Sequence, residues 1–156
     1  MIGHPIILTI FSLLLVVLTA CSGPARWVHR GPSQTDKSLV INMARTQLGV
    51  DYKYGGKSPD EGFDCSGLVY YSFRQAGVSL PRTAMGQYRY TRPVKKSHLR
   101  RGDLVFFRIY RSRISHVGIY LGNKRFIHAP STGKSVSIAS LDTPYWRKRF
   151  IRAGRI

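Results

Sequence analysis

Acid is scarce in this chain. Its 156 residues hold 7 Asp and Glu against 25 Lys and Arg, a formal charge of +18. Such a field concentrates anionic partners, whether nucleic acid, an anionic lipid surface or a carboxylate-rich polymer. The basic residues are scattered and follow no nucleic-acid-binding module, so no nucleic-acid partner is expected. Cysteine is scarcer still, with Cys21 and Cys65 alone, which excludes a fold built on disulfides. A Cys21 to Cys65 bond would tie a flexible tail to a helix start and stabilise little, so the two thiols are expected to have separate tasks. Close-spaced pairs of metal ligands are lacking, which counts against a zinc site, and no cofactor is implied. Internal repeats and low-complexity segments are also missing, leaving one domain of ordinary size.

Charge is missing altogether from the first 25 residues, and Ile6 to Val17 are almost wholly apolar. That is the pattern of a secretory h-region, although Lys and Arg are missing from the short segment before it. An uncleaved transmembrane anchor is the competing reading of the same run. Leu18-Thr19-Ala20-Cys21 resembles the site at which bacterial lipoprotein signals are cut, leaving a lipid-bearing cysteine. The expectation is a signal peptide over 1–20, a lipidated flexible tether over 21–37 anchored to a bilayer through acylated Cys21, and a domain over 38–156. Ser22 does not resemble an inner-membrane retention signal, so a place in the cell envelope is expected, on the outer membrane facing the periplasm.

Within the domain, Leu39, Val40, Met43, Ala44 and Leu48 recur at helical spacing before Gly49. Leu68, Val69, Phe73 and Ala76 form a second apolar stripe, with Gly77 suited to its C-terminal cap. A third helix is predicted over Thr83 to Tyr90. Past Pro93 the period becomes strand-like, over Asp103 to Ile109, Ser115 to Leu121, Arg125 to Ala129, Ser135 to Ile138 and Arg149 to Ala153. Helices followed by an antiparallel meander define an α+β class.

Cys65 begins the second helix, in Gly62-Phe63-Asp64-Cys65-Ser66-Gly67-Leu68-Val69. Unpaired N–H groups and the macrodipole at a helix start favour a thiolate, whereas the same residue also reads as a small buried hydrophobe. Asp64 would raise the thiol pKa unless it caps the helix through the N–H of Ser66 or Gly67. A nucleophilic thiol needs an imidazole and a third group to orient it. Only His116 and His128 lie in predicted strands, and Gly122-Asn123-Lys124 between them signals a hairpin. With a two-residue loop at Gly122-Asn123, the histidines would point to opposite faces. A three-residue loop places His128 across from Gly118, diagonal to His116 and on its face, with Gly118 leaving room for a ring. The resulting hypothesis is Cys65 as nucleophile, His116 as general base and His128 as orienting group. Zinc held by the same three residues with a water is the alternative, as is a non-catalytic wall-binding lipoprotein.

Phe63-Asp64-Cys65-Ser66-Gly67-Leu68-Val69, Leu80-Pro81-Arg82, Gly102 to Phe107, His116-Val117-Gly118-Ile119-Tyr120 and Phe126-Ile127-His128-Ala129 together resemble the NlpC family of bacterial cell-wall cysteine peptidases. The resemblance implies a papain-like fold with N-terminal helices packed on an antiparallel sheet. It also implies a murein endopeptidase cutting stem-peptide or cross-link amide bonds that involve diaminopimelate, with Cys65, His116 and His128 in the three roles above. Tyr52 matches a tyrosine lining the active site in relatives, with Tyr54 as the competing match. Tyr52, Ser66 and Arg82 are therefore expected on the substrate or oxyanion side, Arg82 either contacting a substrate carboxylate or standing as a solvated loop charge.

Overall fold

A computed structural model describes residues 36–110 and 113–156. The expected signal peptide, Cys21 and nearly all of the expected tether lie outside the described residues. Helix α1 spans Lys37–Arg45, its first N–H groups capped by the Asp36 carboxylate. It ends before Leu48, which is exposed rather than part of the apolar stripe. A two-stranded ribbon of β1, Lys57–Ser58, and β2, Gly62–Phe63, then delivers the chain to α2, Cys65–Gln75. Helix α3, Ala84–Tyr90, is capped by Thr83, whose side chain accepts from the Gly86 N–H.

Beyond α3 the chain builds one antiparallel sheet. Its strands are β3 (Arg92–Val94), β4 (Leu104–Phe107), β5 (His116–Gly122), β6 (Arg125–His128), β7 (Ser137–Ser140) and β8 (Phe150–Arg155), in the spatial order β3-β8-β4-β5-β6-β7. A short helix, α4 over Pro144–Arg149, precedes β8. The expected C-terminal strand from Arg149 to Ala153 therefore starts one residue later and runs to Arg155. Strand β7 also begins two residues later than expected, because Ser135 bridges to Asp51 instead. Strand β3 was not visible as a pattern, since three residues with a central proline give no period to read.

Strands β4 and β5 are buried almost throughout, without the alternation of a sheet wet on one side. Two layers cover them. Val40, Ile41 and Ala44 of α1 and Leu68, Val69 and Phe73 of α2 pack with Leu104, Phe106, Val117, Ile119 and Ile127 on one face. Val105, Phe107, Tyr120, Phe126 and Ala153 form the other cluster, closed by Leu141, Trp146 and Phe150. The core thus has a second apolar layer beyond the one that the N-terminal helices supply. A buried Asp103 ties its margins, taking Lys37 Nζ at 3.1 Å and Arg155 Nη2 at 2.6 Å.

The start of α2 is held where the backbone approaches most closely. A methyl group on Gly67 would collide with the Gly56 carbonyl oxygen and crowd the Arg82 guanidinium. Gly67→Ala is expected to displace the first turn of α2 and to cost about 2 kcal/mol or more, measured as a fall in the urea midpoint. An unchanged midpoint would contradict this packing.

Candidate active site

Asp64 is the N-cap of α2 and makes Cys65 its first helical residue. Its Oδ1 accepts from the Gly67 N–H at 2.7 Å, the Ser66 hydroxyl at 3.0 Å and Arg82 Nη1 at 2.9 Å. Oδ2 accepts from the Gly55 N–H at 3.0 Å and Arg82 Nη2 at 2.8 Å. Arg82 also donates to the Gly56 carbonyl at 2.9 Å and the Ser66 hydroxyl at 3.1 Å. The guanidinium thus makes a two-pronged pair with Asp64 and is held in the network at the start of α2. Ser66 is buried in the same network, its hydroxyl turned to Asp64 and Arg82. Buried Gln87 fixes the next layer, its Nε2 donating to the carbonyls of Ser66 at 3.0 Å and Pro81 at 2.9 Å.

The half-buried Cys65 thiol reaches the beginning of β5, with Sγ 4.0 Å from the Ser115 carbonyl oxygen. Burial, followed by the Asp64 charge, pushes its pKa up to about 11, against the pull of the N–H groups of Val117, Ser66 and Cys65. The helix start alone therefore does not yield a standing thiolate, because desolvation outweighs the dipole and N–H contribution.

His116 and His128 are both buried, and His116 Nε2 lies 2.9 Å from His128 Nδ1. The hairpin explains how they meet. Ile119 pairs with Ile127 and Tyr120 with Phe126, a register that continues to Gly118 opposite His128. At the tip, however, Gly122 pairs with Arg125, so the turn is the two-residue Asn123-Lys124, both with positive φ. The body of the hairpin keeps the parity of the three-residue reading because a bulge between Tyr120 and Gly122 takes up one residue. The space at Gly118 is filled by Phe126, whose Cδ2 would lie 2.6 Å from an added methyl, rather than by the His128 ring.

Trp146 was not singled out by sequence reasoning. Its ring stacks on His116 at 5.3 Å between centroids and meets His128 edge-on at 4.9 Å, backed by Phe107 and Phe126. The available signal was Pro144 at a helix start followed by a basic last turn, the mark of a short helix. Burial behind this wall lowers the His116 pKa well below its ordinary value, with His128 adding to the effect. His128 falls to about 4 through burial and then the Lys134 charge.

Tyr52 lies partly buried against the core, whereas Tyr54 is 87% exposed. Burial and then the neighbouring Cys65 and Asp64 raise the Tyr52 pKa, keeping its hydroxyl protonated. Among the described residues no three His, Cys, Asp or Glu side chains form a metal-ligand set. In the pair, one ring nitrogen of each histidine is engaged by the other.

The site and fold match a known class. The family model described as "NlpC/P60 family" covers residues 49–155. The chain belongs to the NlpC/P60 family. It is 41% identical to murein DD-endopeptidase MepH of Escherichia coli K12, over 90% of this chain and 53% of that protein. It is 46% identical to the E. coli K12 murein DD-endopeptidase MepS/murein LD-carboxypeptidase, over 77% of this chain and 63% of that one. An NlpC/P60 family crystal structure from Bacillus cereus superposes with a TM-score of 0.72 at 35% identity, covering 76% of this chain and 39% of that chain. The chain thus spans about half the length of MepH. The α+β architecture is that of the NlpC/P60 domain, with its helices and antiparallel sheet.

The depressed histidine pKa values couple stability to pH. An unfolded chain takes up a proton on His128 near 6.5, but the folded chain does so only near 4. Stability is therefore full above about pH 6.5 and lost as pH falls from there toward 4, by about 3 kcal/mol from His128. Denaturant titrations at pH 7.5 and 4.5 are expected to differ less for His128→Asn than for the parent chain. Equal acid losses in the two proteins would refute the assignment.

Proposed function

We propose that the chain is a cysteine peptidase acting on murein, hydrolysing stem-peptide or cross-link amide bonds that involve diaminopimelate. The observation that carries this reading is the buried His116–His128 contact at 2.9 Å, beside the strand end that Cys65 touches. The names of MepH and MepS support the substrate class.

Burial favours neutral forms of both thiol and imidazole, so the resting pair is a thiol and a neutral His116. His116 Nε2 and His128 Nδ1 are in contact, and the tautomer in which His116 Nε2 carries the proton leaves the His116 Nδ1 lone pair to act as base. As sulfur attacks the peptide carbonyl carbon, the thiol proton passes to His116. The carbonyl oxygen becomes an oxyanion, for which the Cys65 N–H and the Tyr52 hydroxyl are the donors. Collapse breaks the C–N bond while His116 returns its proton to the departing amine. A water then gives its proton to His116 and attacks the thioester, releasing the new carboxylic acid and restoring the thiol. The lipid-anchored placement through Cys21 belongs to the same proposal and is supported by the Leu18-Thr19-Ala20-Cys21 pattern. It would keep the domain at the surface of its substrate.

Purified murein incubated with the chain is expected to release peptides whose masses identify the broken bond. Cys65→Ala and His116→Ala should each slow this by about a thousandfold or more. Digestion by Cys65→Ala at the parent rate would overturn the mechanism.

A further inference from the structure

Arg82 is paired with Asp64, and among the described residues a second cation stands without such a carboxylate partner. The segments on either side of the site supply that cation. Residues 49–52 run antiparallel to 134–136, with Tyr52 N–H donating to the Lys134 carbonyl at 2.8 Å, Val136 N–H to that of Val50 at 2.8 Å and Gly49 N–H to that of Val136 at 3.0 Å. Asp51 pairs with Ser135, and the Ser135 hydroxyl donates to Asp51 Oδ1 at 2.9 Å, so these two side chains share one face. Alternation along extended backbone puts Val50, Tyr52, Lys134 and Val136 on the other face. Val50 and Val136 on that face reach the core, as Tyr52 does in part. Lys134 is the cross-strand neighbour of Tyr52 and is exposed. Among the described residues its ammonium has no carboxylate within ion-pair distance.

We propose that Lys134 binds a carboxylate of the peptide substrate and so selects acidic peptides for the site. This rests on the peptidase reading above. Cross-strand neighbours lie about 5 Å apart at Cβ, so a peptide lying over Tyr52 passes within reach of a lysine side chain. Murein stem peptides carry several carboxylates, and an unpaired ammonium on the strand beside Tyr52 gives one of them a charge-assisted contact. The same contact would set the register in which the scissile carbonyl meets Cys65.

The test uses the full chain carrying Cys65→Ala, so that peptides bind without being cut, and murein tetrapeptides in which each carboxylate is in turn converted to a carboxamide. Calorimetry is expected to show one amidation weakening binding about tenfold with Lys134 present. In Lys134→Met that peptide and its free-carboxylate parent should bind alike, and Lys134→Arg should restore much of the difference. An equal response to every amidation with and without the Lys134→Met substitution would overturn the proposal, as would binding that no amidation changes. Parallel assays with Cys65 intact judge the peptidase reading separately. Failure to cleave any peptide would refute that reading, while the calorimetric difference would still decide whether Lys134 holds a carboxylate.

Discussion

The Asp64 carboxylate accepts five hydrogen bonds and thereby joins three pieces of chain: the Gly55-Gly56 turn, the first turn of α2, and the segment carrying Arg82. Each lone pair directed at an N–H fixes one orientation of that carboxylate, and the fixed carboxylate in turn fixes where α2 starts. The thiol inherits its position from this arrangement. Electrostatics gains from it too, because a bare carboxylate next to Cys65 would oppose any negative charge on sulfur, whereas Arg82 offsets it at hydrogen-bond distance. Gly67 belongs to the same constraint, since only the absence of a side chain lets the Gly56 carbonyl come so near the helix.

The second requirement is dryness. Cys65 arrives with the helix layer, and the histidines project on the face backed by Phe107, Phe126 and Trp146. Strand β5 belongs to both layers, and the reacting groups gather at its beginning. A polar pair sealed behind aromatic rings loses its ions more readily than its hydrogen bond. Burial therefore favours the neutral forms of the thiol and of both imidazoles.

Much of this was legible from residues alone. The Asp64 cap, the helix at Cys65 and the parity of the histidine hairpin are governed by neighbours close in sequence, where spacing carries information. Arg82 was not legible, because whether a guanidinium faces solvent, substrate or a carboxylate 18 residues away is decided by the folded path between them. Trp146 escaped for a similar reason. Its helix is six residues long, too short to show a period, and its partners lie on strands that precede it. The pKa of Cys65 depends on burial that no local pattern reports, and burial raises it against the N–H groups at the helix start.

The bulge between Tyr120 and Gly122 gives the hairpin an unusual kind of freedom. Side chains at its exposed tip are free to vary, as long as positive φ is accommodated at Asn123 and Lys124. One change of length is free as well: removing the bulged residue would set Tyr120 next to Gly122, leave Tyr120 opposite Phe126 and Gly122 opposite Arg125, and keep His128 on its face. An added or lost residue between Phe126 and His128 has no such absorber and would carry His128 to the opposite side of the sheet. Descent within such a lineage would thus be recorded as gaps at the bulge and a fixed count of residues from Phe126 to His128.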